Sequence, residues 1–354
     1  MEKLFTSLLF PFSLVYGTIT YLRNKFYDSG IFRSKTFDFP IIVVGNLNLG
    51  GVGKTPHVEY LIRLLKNTFK VATLSRGYKR KTTGFLLADS ASTANTIGDE
   101  PLQYKKKFNT IPVAVDEKRV RGIQLLKEKH AELNTIILDD AYQHRAVKAG
   151  ISLLITDYNN LYVNDSVLPS GRLREWKCGS KRADIIIVSK SPNNLSLEKR
   201  TKTIQNLNPK PHQTVFFSYL KYGVLTAGNE VAKKTTTTDK NTSILLITGI
   251  ANPSPLLNEL KQHYKYIQHV TFRDHHEFTN KDITYIKEQY KQLPNNKIVV
   301  TTEKDFMRLS SPEIESRLNN IPLYYIPIEV DFHGDDKKNF DSQILNYVRE
   351  NSGS

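Results

Sequence analysis

Only one cysteine, Cys178, stands among 354 residues. A lone thiol can form no intrachain disulfide and no cysteine zinc site, so neither staple organises this fold. Acidic residues are outnumbered, with 35 Asp and Glu against 50 Lys and Arg, a net charge of +15. That excess disfavours cationic partners and points to anionic ones: phosphates, nucleic acid or a membrane surface. A long, unbroken apolar run is also missing. Residues 4–22 come nearest and carry no charge, but Pro11, Gly17 and several Ser and Thr dilute them. No repeat or low-complexity segment is visible. The chain is long enough for two domains, and its 39% hydrophobic content suffices for ordinary cores.

What the sequence does contain begins at residues 41–56, IIVVGNLNLGGVGKTP. Ile41 to Val44 predict a short buried strand. Gly45, Gly50, Gly51 and Gly53 predict a turn, and Lys54-Thr55 open a helix with apolar residues at Val58, Leu61, Leu64 and Leu65. Strand, glycine loop, Lys-Thr and helix is the order of a phosphate-binding loop. Residues Asn48, Leu49, Gly50, Gly51, Val52, Gly53, Lys54 and Thr55 are therefore the nucleotide-binding candidates. In that role the backbone N–H groups would cradle phosphate, Lys54 would reach the β/γ-phosphates, and the Thr55 hydroxyl would ligate Mg²⁺. Asn48 stands where the usual pattern has its first glycine.

Elsewhere, apolar strands alternate with helices, which predicts an α/β fold: a doubly wound, mostly parallel P-loop sheet with a second, smaller α/β domain. The expected division is residues 1–212, an extended linker over 213–241 containing Thr235 to Thr238, and residues 242–354. Several motifs sit at strand ends. Val71–Leu74 runs into the basic turn Ser75-Arg76-Gly77-Tyr78-Lys79-Arg80-Lys81. Thr135–Leu138 ends in Asp139-Asp140, the Walker B pattern in which a carboxylate holds Mg²⁺. Gly98-Asp99-Glu100-Pro101 precedes a helix; its carboxylates suit helix capping, metal binding or base catalysis. Leu168 to Glu175 is a Pro/Gly loop carrying Arg172 and Arg174. Asp274-His275-His276 and Thr302-Glu303-Lys304-Asp305 follow strands in the second half; by spacing alone the first reads as surface, with a metal site as the other reading although three neighbours rarely supply enough ligands unaided, and the second as a helix cap.

Residues 4–22 are amphipathic. Thr6, Ser13, Gly17 and Thr20 share one helical face, and Leu4, Leu8, Val15, Ile19 and Leu22 share another. Such a helix suits lying in a membrane interface better than crossing it, with Arg23, Lys25, Arg33 and Lys35 attracting anionic lipid. Service as a core helix of the first domain is the other reading.

Taken together, these motifs resemble the tetraacyldisaccharide 4′-kinases, the lipid A 4′-kinases of Gram-negative bacteria. The resemblance rests on Arg23-Asn24-Lys25, GN…GGVGKTP, SRGY, GDEP, DDAYQHR, LPSGRLRE, the turn Gly249 to Pro253, FRDHH and TTEKD, in this order across most of the chain. Ala141 departs from the glycine common in the family. The resemblance implies transfer of the ATP γ-phosphate to the 4′-hydroxyl of an acylated glucosamine disaccharide at the cytosolic face of the inner membrane. It implies two α/β/α domains with the site between them, Asp99 as base supported by His275, and Mg²⁺ held by Thr55, Glu100 and Asp139 with Asp140 in support. Arg172 and Arg119 are candidates for substrate phosphate, because a planar guanidinium meets two oxygens at once. A membrane-associated P-loop ATPase switch is the main rival, although Leu49 replaces the lysine that the best-known such group carries. A nucleic-acid-dependent ATPase fits the charge, but no nucleic-acid-binding motif is evident, and no such partner is expected.

Overall fold

The computed structural model describes residues 2–235, 240–294, 296–310 and 312–352. Side chains before residue 9 are outside that description, so the expected faces of Leu4, Thr6 and Leu8 are too, as are Thr236 to Thr238.

Two sheets form the frame. The strands of the first half are β1 (Ile41–Gly45), β2 (Val71–Ser75), β3 (Leu86–Leu87), β4 (Val113–Val115), β5 (Thr135–Asp139), β6 (Ile151–Asp157), β7 (Ile185–Ser189) and β8 (Thr214–Tyr222). Those of the second are β9 (Thr226–Ala227), β10 (Ser243–Thr248), β11 (Tyr266–Thr271), β12 (Lys297–Thr302), β13 (Leu323–Ile326) and β14 (Ile328–Phe332). The larger sheet has nine strands in the order β14-β8-β7-β6-β1-β5-β2-β4-β3, and the smaller has five, β11-β10-β12-β13-β9. Both are parallel except at β14, β3 and β9. The interior strands are runs of Ile, Leu and Val because helices cover both faces and leave no side for polar residues. Alternation along β1 divides the load. Ile42 and Val44 join the core beneath the helix Lys54–Leu65, while Ile41 and Val43 join the opposite one with Ile123 and Leu126.

The sheets divide the chain differently from the expected boundaries. Residues 214–222, expected as linker, are β8, paired with β7 inside the larger sheet. Phe216 and Phe217, successive residues on opposite faces of the strand, are both buried. After β13 the chain returns: β14 pairs with β8, and the C-terminal helix Asp336–Asn351 packs Phe340, Ile344 and Val348 into the core that holds Val58 and Leu61. The smaller lobe is thus an insertion bounded by β8 and β14. An apolar strand covered on both faces is what makes 214–222 part of the sheet rather than a tether.

The N-terminal helix Glu2–Asp28 is inside out. Its small and polar side faces protein: Ser13 Oγ donates to Ser170 Oγ at 2.8 Å, and Tyr16 OH donates to the Arg174 carbonyl at 3.0 Å. Gly17 lies so close to Trp176 that a Cβ would sit 2.6 Å from the indole. The apolar side is in the open, with Phe12, Val15 and Ile19 each more than 60% exposed. Among the described residues no helix is long and apolar enough to cross a membrane.

Candidate active site

The glycine loop leaves the carboxyl end of β1, where parallel α/β sheets bind ligands. Gly53 has φ +88°, a left-handed conformation open to glycine without cost, and from it the helix Lys54–Leu65 begins. Lys54 Nζ donates to Asn46 Oδ1 at 3.0 Å and lies 3.6 Å from Asp140. Asn48 is buried, and its amide donates to Asp165 Oδ2 at 2.9 Å. A side chain that grips the neighbouring loop occupies the place of the usual first glycine.

Asp139 closes β5, the strand beside β1. Tyr104 OH donates to its Oδ2 at 3.0 Å, while its buried Oδ1 has no partner. Burial, with Asp140 and Glu100 adding like charge, pushes this carboxyl up to about 7 against the pull of Lys54. Asp140 shares that burial, but Lys54 and Arg174 outweigh it and hold the group below the usual range; Arg174 donates to it at 2.8 Å. A buried carboxylate oxygen lacking a partner, among other negative charges, fits a divalent cation. No cage of three or more acidic, His or Cys ligands occurs among the described residues.

Asp99 opens the helix Asp99–Lys107. Gly98 before it has φ +92°, and a Cβ there would lie 3.1 Å from the Tyr78 carbonyl, so the SRGY and GDEP turns interlock. From the smaller lobe, His275 Nδ1 lies 3.1 Å from Asp99 Oδ2, and Arg308 reaches the same oxygen with Nε at 2.9 Å and Nη2 at 2.6 Å. Burial alone would raise the Asp99 carboxyl; bonds from His275 and Arg308 and the charges of Arg308 and Lys304 prevail and hold it at about 2. Lys304 Nζ donates to His275 Nε2 at 2.9 Å, which leaves Nδ1 as the protonated nitrogen facing Asp99. Lys304 also lies 3.4 Å from Glu100.

The structure therefore brings Asp99 to His275, and Lys54 to Asp140. Arg119 belongs to the same charged field. It is buried, its Nε has no partner, and burial pulls it down to about 10 while Asp139 and Asp140 oppose and Arg76 reinforces the fall. Arg172 is placed otherwise: its guanidinium pairs with Asp165 at 3.2 Å and Asn160 at 3.1 Å, and Arg174 occupies the place on Asp140. Sequence reasoning missed Arg308. Its one signal was position, one helical turn after Asp305 on a helix that Thr302 caps. Asp305 is fully buried, accepts from the Gly249 N–H at 2.9 Å, and bonds Arg308 Nη1 at 3.0 Å, so it aims the arginine.

A glycine loop on a parallel sheet, a strand-end aspartate and a carboxylate–imidazole pair define a P-loop phosphotransferase. A family model described as tetraacyldisaccharide-1-P 4′-kinase matches residues 5–349. The tetraacyldisaccharide 4′-kinase of Phocaeicola vulgatus is 46% identical over 97% of this chain and 95% of its own. That of Flavobacterium johnsoniae is 45% identical over 99% of both. The crystal structure of LpxK from Aquifex aeolicus in complex with ATP superposes with a TM-score of 0.73, at 25% identity, covering 97% of this chain and 99% of that one. The chain belongs to the tetraacyldisaccharide 4′-kinase family, an ATP-dependent kinase family of lipid A biosynthesis. Family membership decides between kinase and ATPase switch in favour of the kinase.

Proposed function

We propose that Asp99 is the base that takes the proton of the acceptor's 4′-hydroxyl while Lys54 and the glycine loop hold the ATP phosphates. The acceptor is an acylated glucosamine disaccharide 1-phosphate presented at a membrane surface. The observation that carries this reading is the Asp99–His275 contact at 3.1 Å, made between lobes. A sugar hydroxyl needs a base within hydrogen-bond reach. All three side-chain contacts to Asp99 fall on Oδ2, so Oδ1 is the oxygen left to meet the hydroxyl. His275 and Arg308 keep the carboxylate ionised and fix its orientation, and Lys304 holds the imidazole in one tautomer. Lys54 and the N–H groups at the start of its helix balance charge on the transferring phosphoryl group.

Thr55 and Asp139 would hold Mg²⁺, with Glu100 and Asp140 nearby; the ion would supply charge neutralisation at the phosphates. Arg119, with Arg76 beside it, is the candidate partner for an anionic group of the acceptor. The exposed apolar face of the N-terminal helix supports docking on a membrane, at the bacterial inner membrane's cytosolic side where ATP is present. It keeps the chain peripheral, because burying one face needs no spanning segment.

Transfer of label from γ-labelled ATP to a disaccharide lipid acceptor tests the assignment. Asp99→Asn should abolish transfer while ATP still binds; undiminished transfer in that variant removes Asp99 as base.

A further inference from the structure

Three successive carbonyls of the glycine loop are each held by a side chain. Lys190 Nζ donates to the Gly51 carbonyl and pairs with Asp157 at 2.9 Å. Ser189 Oγ donates to the Val52 carbonyl at 2.6 Å. His57 Nδ1 lies 2.7 Å from the Gly53 carbonyl and must be the protonated nitrogen, since a carbonyl only accepts. The far side of that ring is fixed as well: Ser218 of β8 donates from Oγ to His57 Nε2 at 2.9 Å. A Cβ built on Gly53 would meet His57 at 3.8 Å and Ser189 Oγ at 4.0 Å, so both donors flank the loop's left-handed residue.

We propose that Ser189, Lys190 and His57 are positioning residues that set the peptide orientation of the phosphate cradle, with Ser218 bracing His57 from behind. The reasoning is geometric. In a trans peptide the carbonyl and the next N–H point in opposite directions. Anchoring the Val52 carbonyl therefore aims the Gly53 N–H the other way, and anchoring the Gly53 carbonyl aims the Lys54 N–H. The helix that starts at Lys54 leaves its first N–H groups without partners of their own, so a phosphate is their natural acceptor. The Val52 N–H is already spent on the Gly50 carbonyl at 3.1 Å; the anchor on Gly51 instead ties that tight turn to the end of β7. A loop rich in glycine has many conformations of similar energy, and an external clamp selects one. Ser189 and Lys190 stand at the end of β7 and Ser218 on β8, the strands on the other side of β6 from β1, while His57 belongs to the helix that the loop opens, so strands and helix grip the loop together.

This inference rests on residues 48–55 being the ATP site. Isothermal titration with Mg²⁺-ATP separates the two. Lys190→Met and Ser189→Ala should each raise the ATP dissociation constant about threefold to tenfold, the loss of one hydrogen bond, while KM for the disaccharide lipid stays within twofold. His57→Leu should do the same or more, and His57→Asn, which keeps a donor where Nδ1 stood, should recover most of the loss. Lys190 is partly exposed, so its variant keeps the fold whatever happens at the buried sites. Unchanged ATP affinity in Lys190→Met and Ser189→Ala overturns the clamp, as does an equal rise in KM for the lipid. Failure of the unaltered protein to bind ATP would instead overturn the nucleotide-site reading.

Discussion

The two halves of the active site are built in opposite ways. The phosphate side is local in the residues it presents: Asn46, Asn48, Gly53, Lys54 and Thr55 lie within ten positions and are carried by one strand, one loop and one helix. The side proposed to carry the base is assembled at a distance. Asp99 comes from the larger lobe; His275 comes from the turn after β11, and Lys304 and Arg308 from the helix Glu303–Leu309, both in the smaller one. A local site depends on backbone conformation; an assembled site depends on how two lobes meet. At the joint between them, Lys107 bridges Glu59 of the glycine-loop helix and Glu303 of the smaller lobe at 2.8 and 2.9 Å.

That contrast can be broken at several points. Lys54→Ala removes the one side-chain cation of the local half and should lower kcat by about a hundredfold to a thousandfold, as loss of a transition-state donor does; single-turnover transfer from labelled ATP measures it. Arg308→Ala strikes the assembled half. It strips Asp99 of two bonds and leaves buried Asp305 without its charged partner, so kcat should fall about tenfold to a hundredfold, with ATP affinity within twofold if the halves are separate. A matching loss of ATP binding would show that they are not. Val15→Asp with Ile19→Asp should weaken binding to anionic vesicles by about tenfold, yet leave the melting temperature within a few degrees, because both side chains are already exposed. Unaltered vesicle binding would remove the helix as the docking face.

The smallest effect is on stability against pH. Burial pulls the His57 imidazole down from its ordinary value to about 4, against the bond to Gly53. Between the ordinary value near 6.5 and about 4, the unfolded chain takes up a proton there that the folded protein refuses. Stability is therefore fully present above the window and lost as pH falls through it. His144, also pulled down to about 4 by burial, with Arg119, Arg23 and Arg76 adding to the fall, acts in the same sense. His57→Asn should flatten part of that decline in melting temperature, and an unchanged slope would contradict it.

What was legible in the sequence follows the same line. The glycine loop, Asp139 at a strand end and the alternation of strands with helices are written in contiguous residues, whose spacing reports their geometry. The faces of the N-terminal helix could be read from its period, but not which face is covered, since burial of Ser13 and Gly17 depends on Ser170 and Trp176 far along the chain. The return of β14 and the C-terminal helix to the larger sheet was hidden because an amphipathic helix does not say which core it covers. Arg308 was hidden because its partner Asp99 lies 209 positions away. Arg172 and Arg174 were indistinguishable by composition, and only the turn between them sends one to Asp165 and the other to Asp140.

A double-mutant cycle on kcat decides whether Asp99 and His275 work as one unit across the lobes. Asp99→Ala, His275→Ala and the combined variant are assayed under single-turnover conditions. If the pair acts together, the double variant is no slower than the worse single one, within about twofold. If instead the two losses multiply, the contact between the lobes is incidental and the base has been assigned to the wrong partnership.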